Sequence, residues 1–175
     1  MNKEKKIFVV DTSAFLSGKP LNFDNAQLIT SIDIEKEIKS GGKDFHNYIY
    51  LKEKGLILKS ASKGSLKEIK ETSKKTGDID RLSLFDIGIL AIALDENKRK
   101  NVEVVLLTDD YSIQNVAIYN NIKFKSVNQE GIIKKFKWIN RCLGCRKKFN
   151  DNIKICPVCG SNTKKIVIKS EDFDK

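Results

Sequence analysis

Two continuous apolar runs end in carboxylates, and this pattern constrains the fold more than any other feature of the chain. Ile7-Phe8-Val9-Val10 stops at Asp11, and Val104-Val105-Leu106-Leu107-Thr108 stops at Asp109-Asp110. An unbroken apolar strand suits a parallel sheet covered on both faces, because neither side of the strand meets water. In open α/β sheets the working residues sit just beyond the carboxyl ends of the strands. Asp is a costly residue at a buried strand end unless negative charge is needed there. Two such ends, far apart in the chain, point to one acidic cluster that holds metal ions.

The rest of the chain supports alternating strands and helices, and hence a parallel sheet flanked by helices. Thr12 to Leu16 starts a short helix, closed by Ser17-Gly18-Lys19-Pro20, and Gln27 to Ser31 reads as a strand. Asp33 to Lys39 is expected as a helix with Ile34 and Ile38 on one face. Further helices are expected over 45–54, 65–75, 83–95 and 112–120, with short strands over 56–58 and 122–127. Ser83 is a good N-cap for the most apolar of these helices, and Asp86 sits three residues later, where an acid can reach back to the cap.

With 175 residues the chain has room for one ordinary domain and a small module. We expect the domain over 1–131, a linker over 132–140, the module over 141–169 and a frayed tail over 170–175. The formal charge of +10 implies an anionic partner, nucleic acid first and an anionic membrane surface second. Residues 1–131 hold 21 Lys+Arg and 19 Asp+Glu, whereas 132–169 hold 11 basic residues and one acid, Asp151. The positive field therefore belongs to the C-terminal module. The N-terminal apolar run is too short for a signal peptide, and no stretch approaches the roughly 20 apolar residues of a membrane span. A cytoplasmic chain with no membrane partner is expected, and there four cysteines mean metal more often than disulfides.

All four cysteines fall in two knuckles, Cys142-x-x-Cys145 and Cys156-x-x-Cys159. That spacing matches one structural zinc ion in a Cys₄ ribbon, with four protein ligands and no open position. A module this small depends on the metal for its fold. Arg141, Arg146, Lys147, Lys148 and Lys154 surround it and are the candidate RNA-binding residues, together with Lys164 and Lys165. Trp138 and Phe149 either stack on bases or pack the module.

The candidate acidic site comprises Asp11, Asp86, Asp109, Asp110 and Glu37, with Glu35 the competitor to Glu37. Asp86 is read either as a capping-box partner of Ser83 or as a carboxylate aimed at the sheet. Clustered carboxylates repel one another unless a cation is bound, and oxygen-only donors suit Mg²⁺ or Mn²⁺. Little other chemistry is on offer. The single histidine, His46, reads as a surface or helix-packing residue, and no glycine-rich phosphate loop is present. Nothing suggests a small-molecule substrate.

Val10-Asp11-Thr12-Ser13, Glu37-Ile38, Leu82-Ser83-x-x-Asp86 and Thr108-Asp109-Asp110 resemble the acidic signature of PIN-domain ribonucleases. Adding Gly77-Asp78, the run from Thr108 to Ala117 and the Cys₄ ribbon, nearly the whole chain is similar to the Nob1 endonucleases of small-subunit ribosome maturation, in their compact archaeal form. The resemblance implies a PIN fold and Mn²⁺- or Mg²⁺-dependent cleavage of single-stranded precursor 16S rRNA at its mature 3′ end. Precursor rRNA and the small ribosomal subunit would be the partners. It implies that Asp11 and Asp86 hold the metal, while Glu37 and Asp109 or Asp110 bind metal or its waters. Gln114 and Asn115, on the turn after the Asp pair, either touch RNA or form helix surface. The family's Pro before the acidic helix is missing from Thr30-Ser31-Ile32-Asp33, so the choice between Glu35 and Glu37 stays open. Two rivals remain: a toxin-type PIN ribonuclease acting on tRNA or mRNA, against which the fused ribbon argues, and a non-enzymatic RNA-binding assembly factor.

Overall fold

The computed structural model describes residues 5–16, 26–128 and 134–172. Ser17 to Pro20, expected to close the first helix, and the last three residues of the expected tail lie outside the described residues. Five parallel strands form the main sheet in the order β3-β2-β1-β4-β5: β1 (Lys5–Val10), β2 (Ala26–Ser31), β3 (Ile57–Lys59), β4 (Val102–Leu107) and β5 (Lys123–Lys125). The chain starts in the middle, winds to one side through β2 and β3, then returns to the other side of β1 with β4. The reversal lies between β1 and β4, which is where such sheets open a crevice beyond their carboxyl edge. In that pair Val10 lies opposite Leu107, so Asp11 and Thr108 emerge side by side.

Among the described residues, six helices connect and cover the strands: α1 (Thr12–Leu16), α2 (Ile34–Glu37), α3 (Lys43–Glu53), α4 (Lys63–Thr76), α5 (Leu84–Asn97) and α6 (Tyr111–Tyr119). α5 packs across β1, β2 and β4, and its apolar residues from Phe85 to Leu94 are buried nearly all round. This explains its lack of a polar stripe. Ser83 and Asp86 make a complete capping box at its start. α4 runs from its N-cap Ser62 to Gly77, whose φ of +80° supplies the left-handed turn that ends the helix.

Three expectations are corrected. The helix expected over 33–39 is a single turn, Ile34–Glu37, because Ile38 leaves in an extended conformation and buries its side chain in the core. The stretch expected as a linker is strand from Lys134 onward. There β6 (Lys134–Cys142) is the middle strand of a small antiparallel sheet with β7 (Lys148–Phe149) and β8 (Thr163–Asp172). The tail is not frayed as far as Asp172, which pairs with Lys134 at the far end of β6. In both places a dense run of charge concealed a two-stranded pairing whose hydrogen bonds are independent of side-chain type. Among the described residues, no helix is long and apolar enough to cross a membrane.

Candidate active site and cysteine cluster

Asp11 closes the central strand, and its carboxylate is 2% exposed. Four donors hold it. Oδ1 accepts from the Thr12 backbone N–H at 2.7 Å and from Thr12 Oγ1 at 3.2 Å. Oδ2 accepts from Ser13 Oγ at 2.9 Å and from Thr108 Oγ1 at 2.8 Å. The two hydroxyls carry the network onward, Ser13 Oγ accepting from the Asp109 N–H at 3.0 Å and Thr108 Oγ1 from the Asp110 N–H at 3.1 Å. The ends of β1 and β4 are thereby locked together, and Thr30 Oγ1 ties β2 to the Val10 carbonyl at 2.7 Å.

Burial pushes the Asp11 carboxyl above its ordinary pKa, and the nearby charge of Asp86 pushes the same way, while Thr108 and Ser13 oppose. Asp86 is the capping-box partner of Ser83, its Oδ2 accepting from the Ser83 N–H at 2.7 Å, and its charge also acts on Asp11. A buried carboxylate whose ionisation is disfavoured by burial and by a second carboxylate nearby fits a hard divalent cation, which would relieve both the burial and the repulsion.

The other carboxylates are less simply placed. Asp109 accepts from the backbone N–H groups of Val127 and Asn128, at 2.8 and 3.1 Å, and so fastens the chain beyond β5. Asp110 is the N-cap of α6, accepting from Ser112 and Ile113. Glu35 is taken up by Tyr48 Oη at 2.7 Å and Lys52 Nζ at 3.3 Å. Glu37 stands exposed at the end of α2. Gln114 and Asn115 are buried, not presented to RNA. Gln114 Nε2 donates to the Thr108 carbonyl and to Ser126 Oγ, at 2.9 Å each. Asn115 Nδ2 donates to Asp78 Oδ2 at 2.6 Å and to the Phe136 carbonyl at 2.9 Å, and its Oδ1 accepts from the Phe136 N–H at 2.8 Å. Asn115 thus clasps β6 to the nuclease-like domain. The sequence analysis missed Asp78, which is 1% exposed with Oδ1 unpartnered, and which burial pushes above its ordinary pKa. Its place in the quoted Gly77-Asp78 pair was the available signal. His46 is exposed beside Phe45, as expected.

Among the described residues, the one group of three or more His, Cys, Asp or Glu side chains whose ligand atoms lie within 4.8 Å of one another is Cys142, Cys145, Cys156 and Cys159. Cys142 and Cys159 sulfurs are 3.4 Å apart, and those of Cys145 and Cys156 3.6 Å. A tetrahedral zinc with Zn–S bonds of about 2.3 Å sets sulfurs about 3.8 Å apart, so the cluster has the size of that ion. Hydrogen bonds from Ser161 hold the Cys159 thiol down to about 5, whereas burial and the neighbouring cysteines push that of Cys145 up to about 11. Gly144 is needed where it stands, since a Cβ there would lie 2.5 Å from Ser161 Oγ. Arg146, Lys147, Lys148 and Lys154 are exposed on this ribbon and Arg141 is half-buried. Arg141 pairs directly with Lys148 on β7 and with Lys164 on β8, which makes a row of three cations across the sheet. Like charges directly opposite are destabilising unless an anion lies over them. Trp138 lies half-buried under the Arg81 guanidinium, 4.1 Å from its ring centre, and packs the module against the first domain.

A family model described as the PIN domain of ribonuclease matches residues 8–96. The chain is 41% identical over 156 residues to Endoribonuclease Nob1 of Archaeoglobus fulgidus, covering 89% of this chain and 88% of that protein. It is 35% identical over 173 residues to Endoribonuclease Nob1 of Methanocaldococcus jannaschii, covering 94% and 80%. It is 38% identical over 159 residues to Ribonuclease VapC1 of Thermoplasma acidophilum, covering 91% and 77%.

Proposed function

The chain belongs to the PIN-domain ribonucleases, as one of the Nob1 endoribonucleases, and from this premise we propose that it cleaves single-stranded precursor 16S rRNA at its mature 3′ end in the cytoplasm, on the small ribosomal subunit. That it is an endoribonuclease follows from the family itself. The choice of rRNA is supported by the likeness to Nob1 proteins over nearly the whole chain, ribbon included.

The observation that carries the mechanism is buried Asp11 at the β1/β4 crevice, with the half-buried Asp86 close enough for its charge to act on it. In this reading they hold Mn²⁺ or Mg²⁺, with Glu37 and the Asp109-Asp110 corner acting on the ion or its waters. The bound ion supplies a polarised water and charge stabilisation for the phosphoryl transition state. Thr12, Ser13 and Thr108 fix the Asp11 oxygens in place, so the carboxylate does not reorganise as negative charge develops on the phosphate. Glu35 is unsuited to the role because Tyr48 and Lys52 hold it, which favours Glu37. The ribbon, folded around zinc, presents the Lys148-Arg141-Lys164 row to RNA phosphates.

The test is cleavage of a precursor 16S 3′-end fragment with Mn²⁺. A discrete cut at the mature end, lost in Asp11→Asn, supports the reading. Cutting scattered along any RNA overturns the assignment to the 3′ end. A second reading is favoured by the match to Ribonuclease VapC1, whose 159 aligned residues must extend past the PIN domain into the ribbon. That reading is a ribonuclease acting on tRNA or mRNA, and cleavage of those RNAs in preference to the rRNA fragment would support it.

A further inference from the structure

Resting on the endoribonuclease reading, we propose that the cleft between the end of α4 and the inner face of the ribbon is a second RNA-binding site, which holds the strand on its way to the carboxylates. The cleft has a volume of about 540 Å³ and draws its walls from both parts of the molecule. Lys74 and Lys75 on the last turn of α4 face Lys137 of β6 and Lys165 of β8, with Trp138 and Asn140 between them.

These are not the residues of the outward cation row. Lys165 pairs with Asn140, one register step from the Arg141–Lys164 pair, and successive residues of a strand point to opposite faces. The ribbon thus carries positive charge on both faces, and the inner charge lines a concave site shared with the first domain.

The lining sets four amines against two carboxylates, Asp80 and Asp151. Lys165 reaches Asp80 at 3.8 Å, and among the described residues Lys74, Lys75 and Lys137 have no carboxylate within ion-pair distance. Elsewhere lysines are commonly paired, as with Lys59–Glu96 at 2.6 Å and Lys98–Glu68 at 2.7 Å. The helix dipole accounts for two lysines at the end of α4. It does not account for two more cations across the gap, whose mutual repulsion a polyanion would remove. A basic groove bordered by an aromatic ring and amide side chains is how proteins track a single-stranded backbone.

The position fits the reaction. Asp80, in the wall of the cleft, is three residues from Ser83, so their Cα atoms are at most about 11 Å apart. Ser83 opens the capping box that holds Asp86 beside Asp11. A strand leaving the cleft along this loop arrives at the acidic pair. The rim is braced, because Asn140 Nδ2 donates to the Asp151 carbonyl at 3.0 Å and fixes the turn beyond β7.

The experiment measures binding of a fluorescent, unstructured RNA oligonucleotide to the zinc-loaded full chain carrying Asp11→Asn, so that the RNA stays intact. Lys74→Glu/Lys75→Glu is compared with Lys67→Glu/Lys70→Glu, an equal charge change at exposed positions of the same helix outside the cleft. The cleft variant is expected to lose at least about tenfold in affinity, and its log–log salt slope should fall by about 1.4, for two phosphate contacts on a single strand. The control pair should change affinity by less than about threefold. Lys74→Gln/Lys75→Gln, with its thermal midpoint checked, should lose affinity in the same direction. Equal loss in both Glu pairs, or no loss in the cleft pair, overturns the proposal. So does displacement of the RNA by an equal concentration of a nucleoside monophosphate, which would make the cleft a mononucleotide site. If the parent protein binds no RNA at all, it is the endoribonuclease reading that fails.

Discussion

Asp11 meets Thr108 across 97 residues of chain, whereas Cys142 meets Cys159 across 17. The two metal-binding regions are built by opposite means. The carboxylate site is a by-product of the sheet: parallel pairing of β1 with β4 brings two strand ends together, and a buried core of Ile, Val and Leu holds them there. The ribbon has few buried apolar groups of its own, with Ile139, Cys142 and Cys156 the main ones. Two of its four cysteines, Cys142 and Cys156, are part of that small core, and the other two are exposed. One region would keep its fold without an ion and lose its chemistry; the other has no open coordination position and would lose its fold.

Metal removal should split the molecule most sharply. Stripping the ribbon's metal, or replacing Cys156 by Ser, removes binding energy on the order of 10 kcal/mol from a module with little else to hold it. Amide signals over 134–172 should collapse while those of the sheet persist, and simultaneous loss of both sets would break the comparison. Asp11→Asn should do the reverse. Losing a metal ligand forfeits several kcal/mol of transition-state stabilisation, roughly 10³-fold in rate, while the fold is retained. Its stability effect has a definite sign. The Asp11 pKa is raised on folding, so its contribution is present below the ordinary carboxylate range and lost as pH rises through the raised value. Metal-free Asp11→Asn should therefore gain stability relative to the parent as pH rises above that range, and urea midpoints at a series of pH values would show it.

Asn115→Ala tests the junction between the regions. It leaves the Phe136 N–H and carbonyl unpaired and deprives buried Asp78 of its donor, which should cost about 2–4 kcal/mol and raise hydrogen exchange across β6. Gly77→Ala should act on the same seam, because a Cβ there would lie 2.4 Å from the Trp138 carbonyl. The smallest effect is expected of Ser83→Ala, about 1 kcal/mol for one lost cap, with a drop in cleavage if loosening the box lets Asp86 turn from Asp11.

The contrast also explains what could be read in advance. The cysteine knuckles are local, so spacing alone indicated that the four sulfurs cluster, as they do. β1, β4 and α5 were legible because long apolar runs have few alternatives; the place of Asp11 followed from where the first run ends, and the capping box of Asp86 from its position three residues after Ser83. The seam was not legible. Asp78 and Asn115 are polar and buried, and they are joined to each other across 37 residues, with Asn115 reaching Phe136 across 21. Composition treats such residues as surface. β6 was hidden for a related reason: Lys134, Lys135 and Lys137 suggested a solvated linker, while the pairing with β8 uses the backbone.

The clasp at Phe136 has one more consequence. Among the described residues, β7 pairs only with Asn140 and Arg141, and no strand lies along that edge of the first part of β6. Asn115 fills that edge at Phe136, accepting from the N–H and donating to the carbonyl as a neighbouring strand would. An open edge of this kind invites pairing with another chain, and lysines along it discourage such pairing. The same amide that joins the two regions therefore also occupies, at Phe136, backbone groups that an added strand would need.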